Sequence, residues 1–120
     1  MQPKKFRLQA NEIKELAPGR GGCMATDMIT VHGRPVGYMY RVEPDPKSAH
    51  FSVDSGWVFL AGSESQNYID DPGNIAFYDV NTIANYDPAI IPLLDAPFGS
   101  AFIRDAGSAK LIPAAPPATE

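Results

Sequence analysis

The chain of 120 residues reads as a small single α+β domain: a mostly antiparallel twisted sheet, a short N-terminal helix and short proline-broken helical turns. Three observations predict this. Apolar stretches are short, and several alternate with the period of two that half-buried strands show. Twelve prolines and ten glycines are more than a helical bundle tolerates and divide the chain with turns. The intervals between candidate strands leave no room for crossover helices, so antiparallel pairing is expected. A chain this long buries one core and no second. Its 44% hydrophobic and 20% charged residues are ordinary for a globular domain.

The elements follow in order. Ala10 to Leu16, "ANEIKEL", predicts a short helix with Ile13 and Leu16 on one face and Asn11 as its N-cap; "APGRGG" ends it. "CMATDMITVHGRPVGYMYRV" predicts a hairpin turning at His32-Gly33. On its return strand Val36, Tyr38, Tyr40 and Val42 point one way, and Gly37, Met39 and Arg41 the other. "EPDPKSAH" is a polar, exposed loop. Trp57 to Ala61 is a continuous apolar run, as suits a central strand buried on both faces. "SESQNYIDDPGN" is turn-rich, with Asp71-Pro72-Gly73 its strongest signal. "IAFYDV" and "GSAFIRD" predict short strands. Between them lie helical turns with Asp87 as N-cap, Pro88 at the first helical position, and Pro92 and Pro97 limiting their length. The domain is expected to span residues 1–106, with 107–120 a flexible Pro/Ala-rich tail.

Charge is unevenly spread. Residues 1–20 sum to +3, whereas residues 43–105 carry ten acidic residues against Lys47 and Arg104 alone, a net −8. An acidic body argues against nucleic acid, whose phosphates need clustered Lys and Arg. It is compatible with a basic protein partner, and equally with a solubilising surface. The lone Cys23 excludes an internal disulfide and any multi-cysteine zinc site. No apolar stretch has signal-peptide or membrane-spanning length, so a soluble, cytoplasmic protein without membrane contact is expected.

No general catalytic motif stands out. Cys23 with His32 or His50 as base is one arrangement for nucleophilic catalysis, but a cysteine opening an apolar strand is more simply a small core residue. The histidines and aspartates show no metal-ligand spacing. Ser55 in "DSGW" is not a nucleophile elbow, and "PGRGG" lacks the lysine and helix of a phosphate loop. No cofactor or metal is expected. The tyrosines and Trp57 form an aromatic set of the kind enriched at interfaces, though half-buried strand positions account for most of them. Arg41 and Arg104, each ending an apolar strand, suit structural ion pairs better than substrate capture.

Four ordered motifs carry a resemblance: "CMATDMITVHGRPVGYMYRVEP", "DSGWVFLAGSES", "YDVNTIANYDPAIIPLL" and "APFGSAFIRD". Over roughly residues 6–105 the chain resembles bacterial domain-of-unknown-function family two-one-eight-five, also filed as immunity protein family thirty-three. The resemblance implies a small α+β bacterial protein of a polymorphic toxin system that neutralises a cognate toxin without catalysis. It supplies no catalytic residue. The binding residues expected on the motif positions are Asp27, Tyr38, Tyr40, Arg41, Asp54, Trp57, Asp79 and Asp87. The alternative is a small-molecule-binding or enzymatic domain with a pocket around Asp27, Arg41, Asp54 and Trp57. Oligomeric state stays open. Asp54-Ser55-Gly56 is expected to form a turn or bulge feeding a buried strand, with Trp57 as core anchor.

Overall fold

The most apolar run of the sequence occupies the middle of the sheet. The computed structural model describes residues 4–49 and 51–117, so His50 and the extreme termini lie outside the described residues. Six strands form one open sheet: β1 (Gly22–Thr26), β2 (Tyr38–Arg41), β3 (Asp54–Leu60), β4 (Ile75–Asp79), β5 (Ala101–Arg104) and β6 (Leu111–Pro113). Their spatial order is β4-β1-β3-β2-β5-β6. All neighbours are antiparallel except β1 and β3, which run parallel. Three short helices, α1 (Asp27–Thr30), α2 (Gln66–Asp70) and α3 (Val80–Tyr86), complete the domain, with 3-10 turns at Ala10–Glu12, Pro72–Asn74 and Pro88–Leu93. The predicted α+β class and mostly antiparallel sheet are what the chain adopts.

The predicted hairpin is not formed. β3 inserts between β1 and β2, because Trp57 and Phe59 need neighbours on both sides to leave water. The turn at His32-Gly33 instead closes α1. The amides of Val31 and His32 donate to the Asp27 carbonyl at 2.9 and 3.0 Å, and those of Gly33 and Arg34 to Ile29 and Met28. Gly33 takes φ +72, which a side chain would resist.

The predicted N-terminal helix shrinks to the single turn Ala10–Glu12, capped by Gln9 and not Asn11. Its second half loses to a competing partner. Asn81 and Asn85, one turn apart on α3, hold residues 14–17 in a non-helical course. Asn81 Oδ1 accepts the amides of Leu16 and Ala17 at 2.8 Å, and its Nδ2 donates to the Lys14 carbonyl. Asn85 Oδ1 accepts the Lys14 amide at 2.9 Å. Side-chain amides thus satisfy backbone groups that a helix would have paired. The stretch read as turns after Ser63 contains α2, whose N-cap Ser65 accepts the Tyr68 amide at 3.1 Å.

The sheet also continues past residue 106. Leu111–Pro113 pair with β5 as an edge strand, where proline's missing N–H faces no neighbour. Residues 111–113 therefore belong to the sheet and not to a tail.

One face of the sheet is the core. Cys23 and Ala25 from β1, Met39 from β2, and Trp57 and Phe59 from β3 are buried against Val80, Ile83 and Ala84 of α3 and Ile90 and Leu94 of the turn after it. Asp87 starts that turn as expected: Oδ1 accepts the Ala89 amide at 3.2 Å and Oδ2 the Val36 amide at 2.9 Å. Arg104 forms an ion pair with the same carboxylate and donates Nε to the Val36 carbonyl at 2.9 Å. The pair ties β5 to α3 and to the loop before β2, and the backbone bonds offset part of its desolvation.

Candidate interaction surface on the outer face of the sheet

The "DSGW" stretch is a bulge. Gly22 faces Asp54 and Met24 faces Val58, so two steps along β1 match four along β3. The extra residues are tied down. Asp54 Oδ1 accepts the Gly56 amide at 2.8 Å, and Ser55 Oγ donates to the Gly22 carbonyl at 2.6 Å. Gly56 sits at φ +88, and a Cβ there would come within 2.0 Å of the Val42 carbonyl oxygen, so only glycine fits. The bulge turns Trp57 inward. It is 1% exposed, stacks on Phe59 at 6.0 Å and donates Nε1–H to the Leu94 carbonyl at 3.2 Å. Arg41 lies beside it, donating Nε to Ser55 and Nη1 to Ala96, both carbonyls at 2.8 Å. Its guanidinium is 5.7 Å from the Trp57 ring and 4.8 Å from that of Phe98, which adds cation–π attraction.

Asp27, Arg41, Asp54 and Trp57 do not converge on one pocket. Asp54 opens β3 opposite Gly22, whereas Asp27 follows the far end of the parallel β1. Five residues of strand separate them, roughly 16 Å. Asp27 pairs with Lys4 Nζ at 2.8 Å. Arg41 and Trp57 share a cavity of about 280 Å³ with Arg20, Ser55, Leu94 and Asp95, and neither Asp27 nor Asp54 lines it. Asp79 caps α3, accepting the Asn81 amide at 2.8 Å, and Asp87 is 9% exposed. Among the described residues no group of three or more His, Cys, Asp and Glu is placed to hold a metal ion. Cys23 is buried, and burial, with Asp79 and Asp54 nearby, pushes its thiol pKa well up, the reverse of what a nucleophile needs.

Tyr38 and Tyr40 are placed differently. They alternate with the buried Met39 and so point to the face opposite the core. Their rings pack 5.6 Å apart. Burial raises the pKa of both hydroxyls, and Tyr38 adds to the rise on Tyr40, so both stay protonated donors. Cross-strand register extends an apolar surface from them: Leu60, Tyr38, Ile103 and Ile112 form one row, and Val58 and Tyr40 begin the next. Ile103 and Ile112 are 45% and 41% exposed. Tyr38 lines a groove of about 580 Å³ with Arg34, Leu60, Glu64 and Ile103. Tyr40 lines a second, of about 740 Å³, with Val58, Phe98, Pro116 and Pro117.

Sequence reasoning named the two tyrosines but missed Val58, Phe98, Ile103, Ile112 and the prolines. Period-two alternation along β3 and β5 puts Val58 and Ile103 on the face opposite Trp57 and Phe102. Their meeting with Tyr38 and Tyr40 depends on a strand order that no local pattern carries.

The fold is thus an α+β class with a helical layer on one face of the sheet and aromatic, apolar grooves on the other. The immunity protein Imm33 domain matches residues 23–111, from the second residue of β1 to the first of β6. The chain belongs to that family. No curated protein and no solved structure matches this chain. No helix among the described residues is long and apolar enough to cross a membrane.

Proposed function

We propose that this chain is a cytoplasmic immunity protein that neutralises a cognate toxin by direct, non-enzymatic binding through the outer face of its sheet. The observation that carries the reading is the family match, which covers almost the whole sheet. The chemistry of the outer face supports it. Tyr38, Tyr40, Ile103 and Ile112 offer amphipathic rings and branched apolar side chains with few rotamers to freeze, the composition that makes interface hot spots. Exposed acids, among them Glu43, Asp45, Asp70, Asp71 and Asp95, give the molecule a negative field that steers a basic toxin and disfavours nucleic acid.

The test is to sequence the neighbourhood of the gene, express each toxin-like reading frame found there, and compare cell survival with and without this chain. Protection is expected with the native chain and lost with Tyr40→Ala, the variant's fold being checked by circular dichroism. Identical survival with and without the native chain overturns the reading.

A further inference from the structure

The C-terminal segment takes an unexpected course. β6 is the edge strand, and the Ala114 amide continues its ladder by donating to the Ala101 carbonyl at 2.9 Å. Beyond that point the chain does not run off the edge. The Tyr38 hydroxyl, on β2, donates to the Ala115 carbonyl at 2.9 Å. Pro116 and Pro117 then line the groove of Tyr40, Val58 and Phe98. From the edge, the chain thus crosses inward over β5 and β2 toward β3, on the same aromatic surface.

How it is held matters. "LIPAAPP", residues 111–117, has no charged side chain. Pro116 and Pro117 have no N–H, so they cannot join a ladder. Proline-rich chain favours the extended polyproline conformation, whose carbonyls have no internal partner and are free to accept. A tyrosine hydroxyl donating to such a carbonyl, with proline rings in an aromatic groove beside it, is how polyproline segments are recognised. Between Ala114 and Pro117 the described contacts include only two hydrogen bonds. A strap held this sparsely opens readily.

We propose that the Tyr38–Tyr40 face is a polyproline-type peptide site, occupied in the free protein by the chain's own residues 114–117. The protein partner takes it with an extended, proline-bearing segment that displaces the strap. This deepens the proposed function and rests on its assignment of the outer face to a partner. The strap lowers apparent affinity by the fraction of molecules in which it is closed, so partners lacking such a segment are screened out.

The experiment needs no toxin. A fluorescent peptide of residues 111–117 is titrated into the full chain and into the full chain carrying Pro116→Gly and Pro117→Gly, and anisotropy is read. The loosened chain is expected to bind the peptide about tenfold more tightly than the native one, as release of a competing strap requires. Tyr40→Ala in the loosened chain is expected to remove that gain. Tyr38→Phe, which deletes only the hydroxyl that donates to Ala115, is expected to reduce it even if Tyr40→Ala does not fold. Equal affinity of native and loosened chains overturns the proposal. So does indifference to Tyr38→Phe, or equal binding of a peptide with alanine in place of its prolines. A failed titration with protection intact removes the strap alone; lost protection with the titration intact removes the toxin reading alone.

Discussion

At the scale of single residues, Trp57 and Glu64 show how much one side chain fixes. Trp57 fills the space between β3, β5 and the turn after α3, and its only polar atom has a partner. Trp57→Ala should therefore cost about 3–5 kcal/mol in urea unfolding. A loss below about 1 kcal/mol would mean that the ring is not a core anchor. Glu64 is a different device. Its carboxylate accepts the Thr26 hydroxyl at 2.5 Å and the amides of Ala61 and Gly62 at 2.7 and 2.8 Å, joining the ends of β1 and β3. Burial works to raise its pKa, but those hydrogen bonds together outweigh it and the net shift is downward. With the folded pKa below the ordinary glutamate value, near 4.5, the folded chain binds this proton less readily than the unfolded one. The stabilisation is complete above that value and fades as pH falls through the folded pKa. Glu64→Gln should lower the urea midpoint at pH 7 and flatten the acid limb below pH 4.5. An unchanged acid limb would show that the carboxylate's charge does not matter.

At the scale of elements, local chemistry was legible and pairing was not. The Asp87-Pro88 start, the Asp71-Pro72-Gly73 turn and the alternation of Tyr38, Met39 and Tyr40 could be read because each depends on a few adjacent residues. The hairpin reading failed because His32-Gly33 suits a helix end as well as a strand turn. Only the arrival of β3 decides between them. The N-terminal helix failed for a similar reason: the asparagines that capture residues 14–17 lie more than sixty residues away. Of the site, the tyrosine pair was readable, whereas the apolar rows around it exist only through strand order. The asparagine clamp makes its own prediction. Asn81→Ala removes three hydrogen bonds to backbone and should cost about 1–2 kcal/mol. It should also release residues 14–17 to faster amide exchange while leaving the core strands protected. Unchanged exchange there would mean that the segment is held by something else.

At the scale of the whole molecule, the two faces of the sheet differ, and the outer one sets charged side chains, Arg34 and Glu64 in one groove and Glu43 in the other, beside its apolar rows. α3 and its following turn pack on the inner face, and Pro116 and Pro117 lie in the groove beside the outer aromatic rows. Under the proposed function, that difference leaves the outer face to a partner. The order of the strands has a consequence of another kind, for how the chain is made. β1 and β2 leave the ribosome first but share no ladder, and each acquires its partner only when β3 follows. Folding must therefore wait for a contact between distant segments, and β3 is expected in its nucleus. Phe59→Leu should slow refolding, whereas Ile112→Ala at the edge should chiefly speed unfolding; stopped-flow chevrons would separate the two, and the reverse pattern would move the nucleus to the edge. Synthesis halted before Asp54 leaves two strands with no sheet to join them.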